Sequence, residues 1–364
     1  MRIVDKYIIK RVLSGYLFIL FVFIGLYLII DVFSSLSDML ETKPPIGVLG
    51  GYYLSMLPLI FLRVSPLSLL ISTLYTIGEL NRNNEIISMR AVGMSISRVA
   101  FPIIFTALAI SFISFYIQEQ ILMRSQKKVE DIKMRYIKKD FSGAQIEKNF
   151  AFLSGDMIVV VREYSLKDKA MDNVIIFKRG TEGNFEKKII CKSIVYRNDQ
   201  WVALNAIEYF LDDKGSIIGP KTIHHKEKTV PLTENPRELI YKKSIYAQFT
   251  SLKNLRQEIK RLKKVKAFNV MRNLKIDFYQ KIAEPFTHLF LIIGVLPFAL
   301  EIKKRKVALS ALGVGLMFGF TYYLAINPFS IALGKSGVLL PALSAWAAPL
   351  FFLTVGISGM FLVK

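Results

Sequence analysis

The sequence predicts an α-helical membrane protein: six transmembrane helices, three plus three, with an inserted all-β, jelly-roll-like domain between the two groups. Three observations predict it. First, the 364 residues are 52% hydrophobic, and the apolar residues are gathered into long runs without charge. Residues 12–30, 99–118, 285–300, 307–334 and 336–363 carry none, and 46–78 carry only Arg63. A bilayer core of ~30 Å takes about 20 such residues per helix. Second, charge is concentrated elsewhere. Leu122 to Lys281 holds 34 basic and 19 acidic residues of the chain's 49 and 28, so most of the +21 net charge lies in one polar insert. Third, the insert changes period, from helix-length apolar runs to short segments rich in β-branched and aromatic residues.

The membrane helices come with an orientation. Short-loop Lys and Arg mark the cytoplasmic side: Arg2, Lys6, Lys10 and Arg11 before span 1, Arg82, Arg90 and Arg98 between spans 2 and 3, and Lys303, Lys304, Arg305 and Lys306 between spans 4 and 5. The opposite loops hold chiefly Lys43 and Lys335. Both termini are therefore expected in the cytoplasm and the insert outside. An outward basic insert excludes nucleic acid as the expected partner, and no nucleic-acid motif accompanies it. The first apolar run lacks a small-residue cleavage site and reads as a retained anchor. Cys191 is the only cysteine, so the outer domain folds without an internal disulfide.

Taken in order, residues 1–11 suit either a short interfacial helix or a plain basic flank. Pro58 and Pro66 remove backbone donors from span 2 and predict kinks. Between spans 2 and 3, Glu79 to Ser97 predicts a compact helix near 79–92: Ile86, Met89 and Arg90 share a side at helical spacing, and Gly93 can adopt the left-handed turn that ends it. Such a helix serves as a knob for a partner or as a solvated connector. In the insert, Met157–Tyr164, Asn173–Lys178, Lys188–Tyr196 and Gln200–Phe210 predict strands. Turn signals around Leu166–Lys169, Gly180–Gly183, Asn198–Asp199 and Asp212–Gly215 separate them, which argues for an antiparallel sandwich or jelly roll. From Ser251, a candidate N-cap, Leu252, Leu255, Ile259 and Leu262 recur at helical spacing in a basic amphipathic helix. Span 4 is short at 285–300 and is expected to borrow its first turns from Ile282 and Ala283.

No motif for catalysis emerges. Gly334-Lys335-Ser336 resembles the end of a phosphate-binding loop but has Phe329 where the pattern needs glycine. His224-His225 lacks further ligands at metal spacing and reads as part of a solvated loop. His288, alone on an apolar helix, reads as a satisfied packing residue. Neither a metal nor a cofactor is expected on this chain. Asp31, at the outer end of span 1, and Glu284, at the start of span 4, are the carboxylates nearest the bilayer and read as interfacial.

Several stretches resemble one family. Val4-Asp5-Lys6-Tyr7-Ile8 is similar to the start of LptG-type members. Gly78-Glu79-Leu80 through Glu85-Ile-Ile-Ser-Met-Arg-Ala-Val-Gly93 looks like the family's cytoplasmic coupling helix. Lys281-Ile-Ala-Glu-Pro285-Phe286 resembles its start of span 4. Gly319-Phe320-Thr-Tyr322-Tyr323 and Leu340-Pro341 through Pro349 look like its spans 5 and 6. The chain thus resembles, along its whole length, the LptF/LptG lipopolysaccharide export permeases, with the G type the nearer.

The resemblance implies three parts: 1–121 with spans 1–3 and the coupling helix, 122–278 as the periplasmic β domain with helical connectors, and 279–364 with spans 4–6. It implies a bacterial inner-membrane subunit of an ATP-binding-cassette exporter that extracts lipopolysaccharide and passes it to a periplasmic jelly-roll bridge (LptC/LptA-like). Its expected partners are a second, LptF-like permease and a separate LptB-like ATPase dimer, on which ATP and Mg would bind. Glu85 matches the acidic coupling residue, with Met89, Arg90 and Gly93 beside it. Tyr27, Asp31, Tyr322 and Tyr323 are candidate neighbours of a lateral lipid gate between spans 1 and 5. One departure stands out: where G-type members carry cations for substrate phosphates near the outer end of span 1, this chain has Asp31, Asp38 and Glu41, and Lys43 is the nearest candidate headgroup contact. Two other classes stay open, a mechanical subunit that passes no substrate and an extracytoplasmic receptor. The short inner loops, which hold no signalling module, speak against the receptor.

Overall fold

The computed structural model describes residues 3–133, 136, 146–154, 156–165, 168–179, 185–197, 200–211, 217–232, 251–264, 268–300 and 307–362. They divide into two compact units. One comprises Met1–Val129, Ser251–Leu255 and Arg272–Lys364, and the other Glu130–Thr250 and Arg256–Met271.

Among the described residues six helices are long and apolar enough to cross a membrane, and all or nearly all of each lies in the first unit: span 1 (Ile3–Ser34), span 2 (Ile46–Arg82), span 3 (Ile96–Ile132), span 4 (Met271–Leu300), span 5 (Leu312–Ser336) and span 6 (Pro341–Phe361). The opening segment from Ile3 is the first part of span 1 and forms no separate interfacial helix. Span 4 starts well before Ile282, because the polar stretch from Met271 is also helical and joins the apolar part through a 3₁₀ turn at Glu284–Phe286.

Spans pack as helices do in lipid, where close approach and internal polar bonds replace the hydrophobic drive. Ile8, Val12, Tyr16 and Leu20, four residues apart, face the bundle from span 1, while Leu17, Phe18, Phe21, Leu26, Ile29 and Phe33 are exposed. Span 2 is central, packing against spans 1, 4 and 5. Its small polar residues Ser65, Ser68, Ser72, Thr73 and Thr76 are buried. Ser72 Oγ donates to the Val12 carbonyl at 2.7 Å, a bond from span 2 to the backbone of span 1. Spans 4 and 6 touch backbone to backbone: a methyl group on Gly356 would run into the Ile293 carbonyl, and one on Gly294 would lie 2.9 Å from Phe352 Cδ1.

The described strands of the second unit form one antiparallel sheet of six in the order β1–β2–β3–β4–β5–β6. The strands are β1 (Ile146–Ser154), β2 (Met157–Ser165), β3 (Ala170–Arg179), β4 (Phe185–Arg197), β5 (Gln200–Leu211) and β6 (Ile217–Val230). The antiparallel β domain of the sequence reading is present; among the described strands it is a continuous meander without Greek-key exchange. β1 and β6 add to the four strands expected from composition. β6 contains Thr222-Ile-His-His-Lys-Glu-Lys228, whose polarity hides a strand, and His224 and His225 therefore lie in the sheet and not in a loop. The turn signals at 180–183, 198–199 and 212–215 fall outside the described residues.

A crease crosses the sheet. Across the crease each ladder keeps its register yet skips one pair, and the skipped residues line up from strand to strand: Asn149, Arg162, Asn173, Lys192, Asn205 and Lys226; away from it the register shifts at Lys178/Arg179 in the β3–β4 ladder and at Tyr209/Leu211 in the β5–β6 ladder. Asn173 and Asn205 have φ of 51° and 50°, the left-handed region that asparagine tolerates best among residues with a side chain. At the crease the inward residues jump by three instead of two, as in Val161 to Tyr164, Met171 to Val174, Cys191 to Ile194 and Ala203 to Ala206, and all eight are buried in one core with Trp201. Trp201 is fully buried and meets the Tyr196 ring edge-on at 4.9 Å.

Candidate functional site

The predicted coupling helix forms as Glu85–Ala91. Gly93 closes it with φ 83°, and Met94 N–H reaches back to the Met89 carbonyl at 3.1 Å, satisfying an end carbonyl that would otherwise be orphaned. Ile86 is buried and Met89 packs against the bundle core, whereas Arg90 beside them is exposed. The outward surface is formed by Ile87, Ser88, Arg90, Ala91 and Val92, with Val92 88% exposed.

Glu85 is held inside the chain. The Tyr7 hydroxyl donates to its Oε2 at 2.8 Å, and Arg11 Nη1 lies 3.3 Å from its Oε1. The Arg11 guanidinium sits over the Tyr7 ring, 4.7 Å from its centre, which joins both partners of Glu85 to each other. Arg82 pairs with Glu79 at 3.7 Å, and Arg98 with Asp5 at 2.9 Å. The first turns of span 1 are thereby tied to the coupling helix and to the start of span 3. In the sequence Tyr7 stands only in the opening motif and Arg11 only in the basic flank; their clasp is a long-range contact that spacing does not reveal.

The candidate gate residues separate into two environments. Tyr27, on span 1, is half-buried and accepts a hydrogen bond of 2.8 Å from Arg63 Nη1 on span 2. Asp31 lies one turn further along span 1 and is also half-buried. Tyr322 turns into the bundle, where its hydroxyl and Thr287 Oγ1 are 3.0 Å apart and its ring meets Phe352 edge-on at 5.5 Å. Tyr323 is more exposed and stacks edge-on against Tyr322 at 4.9 Å. Both tyrosines belong to a π-helical turn, Thr321–Ile326, inside span 5, a feature that is rare and gathers at functional sites. Lys43 has left-handed backbone (φ 44°) after the helix Leu36–Thr42 and is exposed. Beside this end of span 1, which carries Asp31, span 2 places the cation Arg63. Its position as the one charge in residues 46–78 was the available signal.

Two further polar clusters brace the first unit. Tyr16 Oη and Ser65 Oγ are 2.7 Å apart, Ser65 Oγ and His288 Nε2 are 2.7 Å apart, and His288 Nδ1 is 2.9 Å from the Pro285 carbonyl. A carbonyl only accepts, so in the neutral ring Nδ1 carries the proton, Nε2 accepts from Ser65, and Ser65 accepts from Tyr16. Spans 1, 2 and 4 are joined by this chain of bonds, and His288 is the satisfied packing residue that the sequence predicts. On span 3, Glu119 sits in a π turn (Ile117–Ile121). It accepts from the Leu252 backbone N–H at 3.0 Å and pairs with the nearly buried Lys281 at 3.6 Å. Gln118 donates to Glu284 at 3.2 Å. Ser251 caps the helix Leu252–Lys264 through Asn254 N–H at 3.3 Å, as expected.

In the second unit Glu208 faces inward with Ala203 and Ala206, its side chain 4% exposed. Lys187 Nζ lies 2.9 Å from Oε1, Lys228 Nζ bonds Oε2, and His225 Nε2 is 3.4 Å from Oε2. Burial pushes this carboxyl up, but the lysine bonds outweigh burial and hold it at about 2. Burial pushes the Cys191 thiol up to about 11, so it is a protonated packing group and not a nucleophile. Among the described residues no group of three or more His, Cys, Asp or Glu is arranged to hold a metal ion.

Comparison with known proteins agrees with the geometry. No curated protein is significantly similar to the chain. The family model described as lipopolysaccharide export system permease LptF/LptG matches residues 6–362, which takes in all six spans, the coupling helix and the β domain. Six apolar helices with an inserted antiparallel domain, matched over nearly the whole length, place this chain in the LptF/LptG family of lipopolysaccharide export permeases.

Proposed function

We propose that the chain is one of two permease subunits in an inner-membrane exporter that takes lipopolysaccharide from the bilayer and hands it to a periplasmic jelly-roll bridge, driven by a separate ATP-binding-cassette ATPase. The observation that supports this best is the coupling helix. Glu85–Ala91 is rooted in the bundle by Ile86 and Met89, clasped to span 1 through Tyr7 and Arg11, and offers Ile87, Arg90 and Val92 to a partner. A push on that surface reaches spans 1, 2 and 3 together, because each is tied to the helix by covalent continuity or an ion pair. ATP and Mg would act on the ATPase; this chain's residues receive and transmit the movement.

The apolar face of span 1, with Phe18, Phe21, Leu26 and Phe33 exposed, suits acyl chains or the matching span of a second permease. Arg63 beside Tyr27 supplies a cation for an anionic headgroup where span 1 has none, and Lys43 is a second candidate. Both termini and the coupling helix lie in the cytoplasm in this reading, and the β domain, with its creased apolar core, lies in the periplasm.

The test is site-specific photo-crosslinking in the native membrane, with a photoreactive residue at Phe21 or Phe33 and at Val92. Lipopolysaccharide adducts at the span 1 positions and an ATPase adduct at Val92 are expected. An ATPase adduct with no lipid adduct at any span 1 position would favour the mechanical subunit and overturn the transport route.

A further inference from the structure

A cavity of about 810 Å³ opens at the end of the bundle that carries the coupling helix. One wall is the segment after that helix (Gly93 to Ser97), and the others are Ile104 of span 3, Ile293 and Leu296 of span 4, and Leu353 to Phe361 of span 6. All of these belong to the first unit. The lining is aliphatic or aromatic on the span side, and Ile357 and Phe361 are 49% and 81% exposed, so the cavity is open along the flank of the bundle as well as at its end. Its size falls within the roughly 300–1,000 Å³ of sites that take small molecules.

Among the described residues Arg90 is the one charged residue of the lining. The neighbouring arginines are neutralised, Arg11 by Glu79 and Glu85, Arg82 by Glu79 and Arg98 by Asp5. Arg90 has no carboxylate within ion-pair distance among the described residues. Ser95 and Ser97, whose hydroxyls are 3.0 Å apart, add polar groups on the same wall. A guanidinium that no carboxylate pairs among the described residues, with two hydroxyls at a helix-end level above an apolar groove that opens sideways, matches a molecule with a phosphate at one end and an acyl chain at the other.

We propose that this groove holds an anionic glycerophospholipid from the leaflet at the coupling-helix end, with its phosphate at Arg90 and an acyl chain against Ile104, Leu353 and Ile357. The occupant is a lipid and not a protein segment because the apolar walls are span residues that face hydrocarbon in a bilayer. Because Gly93 to Ser97 form one wall, the bound lipid stiffens the joint between coupling helix and span 3, and the membrane's anionic lipid content acts on that joint. This requires only that the chain spans a bilayer; Arg90 also borders the surface proposed to meet the ATPase, and the groove labelling described next separates the two roles, because Ile357 and Ile104 lie in the groove and not on that surface.

The experiment uses the full chain purified in mild detergent with the subunits that accompany it. It is exposed to phosphatidylglycerol or phosphatidylcholine carrying a photoreactive acyl chain, and the labelled peptides are identified by mass spectrometry. Phosphatidylglycerol is expected to label 93–104 and 353–361 about tenfold more than phosphatidylcholine, because both headgroups carry a phosphate but the choline ammonium offsets it in the second and opposes Arg90. Arg90→Gln should bring the two lipids level, and Ile357→Trp, which fills the groove from an exposed position, should remove labelling of both while the thermal transition is kept. Ile104→Trp serves if that variant fails to fold. Equal labelling by the two lipids in the unaltered chain, or labelling indifferent to both Arg90→Gln and the filling variant, would overturn the proposal. Displacement by excess lipopolysaccharide would overturn it by placing the groove on the transport route, and complete displacement by the ATPase would show a protein interface instead.

Discussion

Arg63 Nη1 on span 2 donates a 2.8 Å hydrogen bond to the phenol oxygen of Tyr27 on span 1. An exposed guanidinium in an otherwise uncharged run is costly in hydrocarbon, by about 3 kcal/mol or more at mid-bilayer, and is kept where it meets water, a partner or an anionic group. Tyr27 fixes its direction but cannot neutralise it. Arg63→Ala is expected to lower lipopolysaccharide crosslinking to span 1 and the export rate by about tenfold, the loss of one charged contact. Arg63→Lys should restore part of it and Tyr27→Phe should lose less than Arg63→Ala. Unchanged crosslinking in Arg63→Ala would remove this residue from the headgroup site.

Glu85 already has two partners within the chain, so removing it does two things at once. Glu85→Ala loses the bond from Tyr7 and leaves Arg11 with Glu79 alone, at 3.9 Å. The variants separate clasp from coupling: Tyr7→Phe removes only the clasp bond and should keep ATPase recovery within about twofold, the worth of one exposed hydrogen bond at the low end. Glu85→Arg should reduce it severely by placing a cation against Arg11. Pull-down of the ATPase by the tagged chain is the readout, and full recovery with Glu85→Arg would end the coupling assignment.

Close backbone contact between spans 4 and 6 depends on Gly356. Any side chain there meets the Ile293 carbonyl, which is backbone and cannot swing aside. Gly356→Ala should cost about 1–3 kcal/mol, the usual penalty for overpacking, read as a lowered thermal transition in detergent. An unshifted transition would show that the spans can separate freely.

The β domain should weaken in acid because of Glu208. Its folded carboxyl is held at about 2, below the ordinary 4.5, so the contribution is complete above pH 4.5 and is lost as pH falls through about 2. Glu208→Gln should remove about 2 kcal/mol at neutral pH and flatten this acid limb, seen by denaturant unfolding at a series of pH values. The same acid limb in Glu208→Gln would assign it to other carboxylates.

Much of the fold is legible in the sequence because hydrocarbon imposes a length rule on single segments. Each uncharged run became a span, and Gly93 and Ser251 act at helix ends as their residue types foretell. The strand faces were hidden for a definite reason: the crease through Arg162, Asn173, Lys192, Asn205 and Lys226 shifts the inward set by one residue in every strand it crosses, so no window reads as strict alternation. β6 was hidden by its charges, since His225 and Lys228 face Glu208 across the ladder and need not be apolar to be on the inner side. At the candidate site the helix Glu85–Ala91 was legible because its signals are local, and the contacts of its side chains were not because their partners are remote. Tyr7 and Glu85 are 78 residues apart, and Arg63 finds Tyr27 only once spans 1 and 2 are packed.

The deciding measurement is ATP-driven release of lipopolysaccharide from proteoliposomes that contain this chain, its partner permease and the ATPase, into a soluble jelly-roll acceptor. Release that requires ATP and falls sharply with Glu85→Arg on this chain is the predicted result. ATP hydrolysis at the normal rate with no lipopolysaccharide reaching the acceptor would contradict it and leave a subunit that transmits force without carrying lipid.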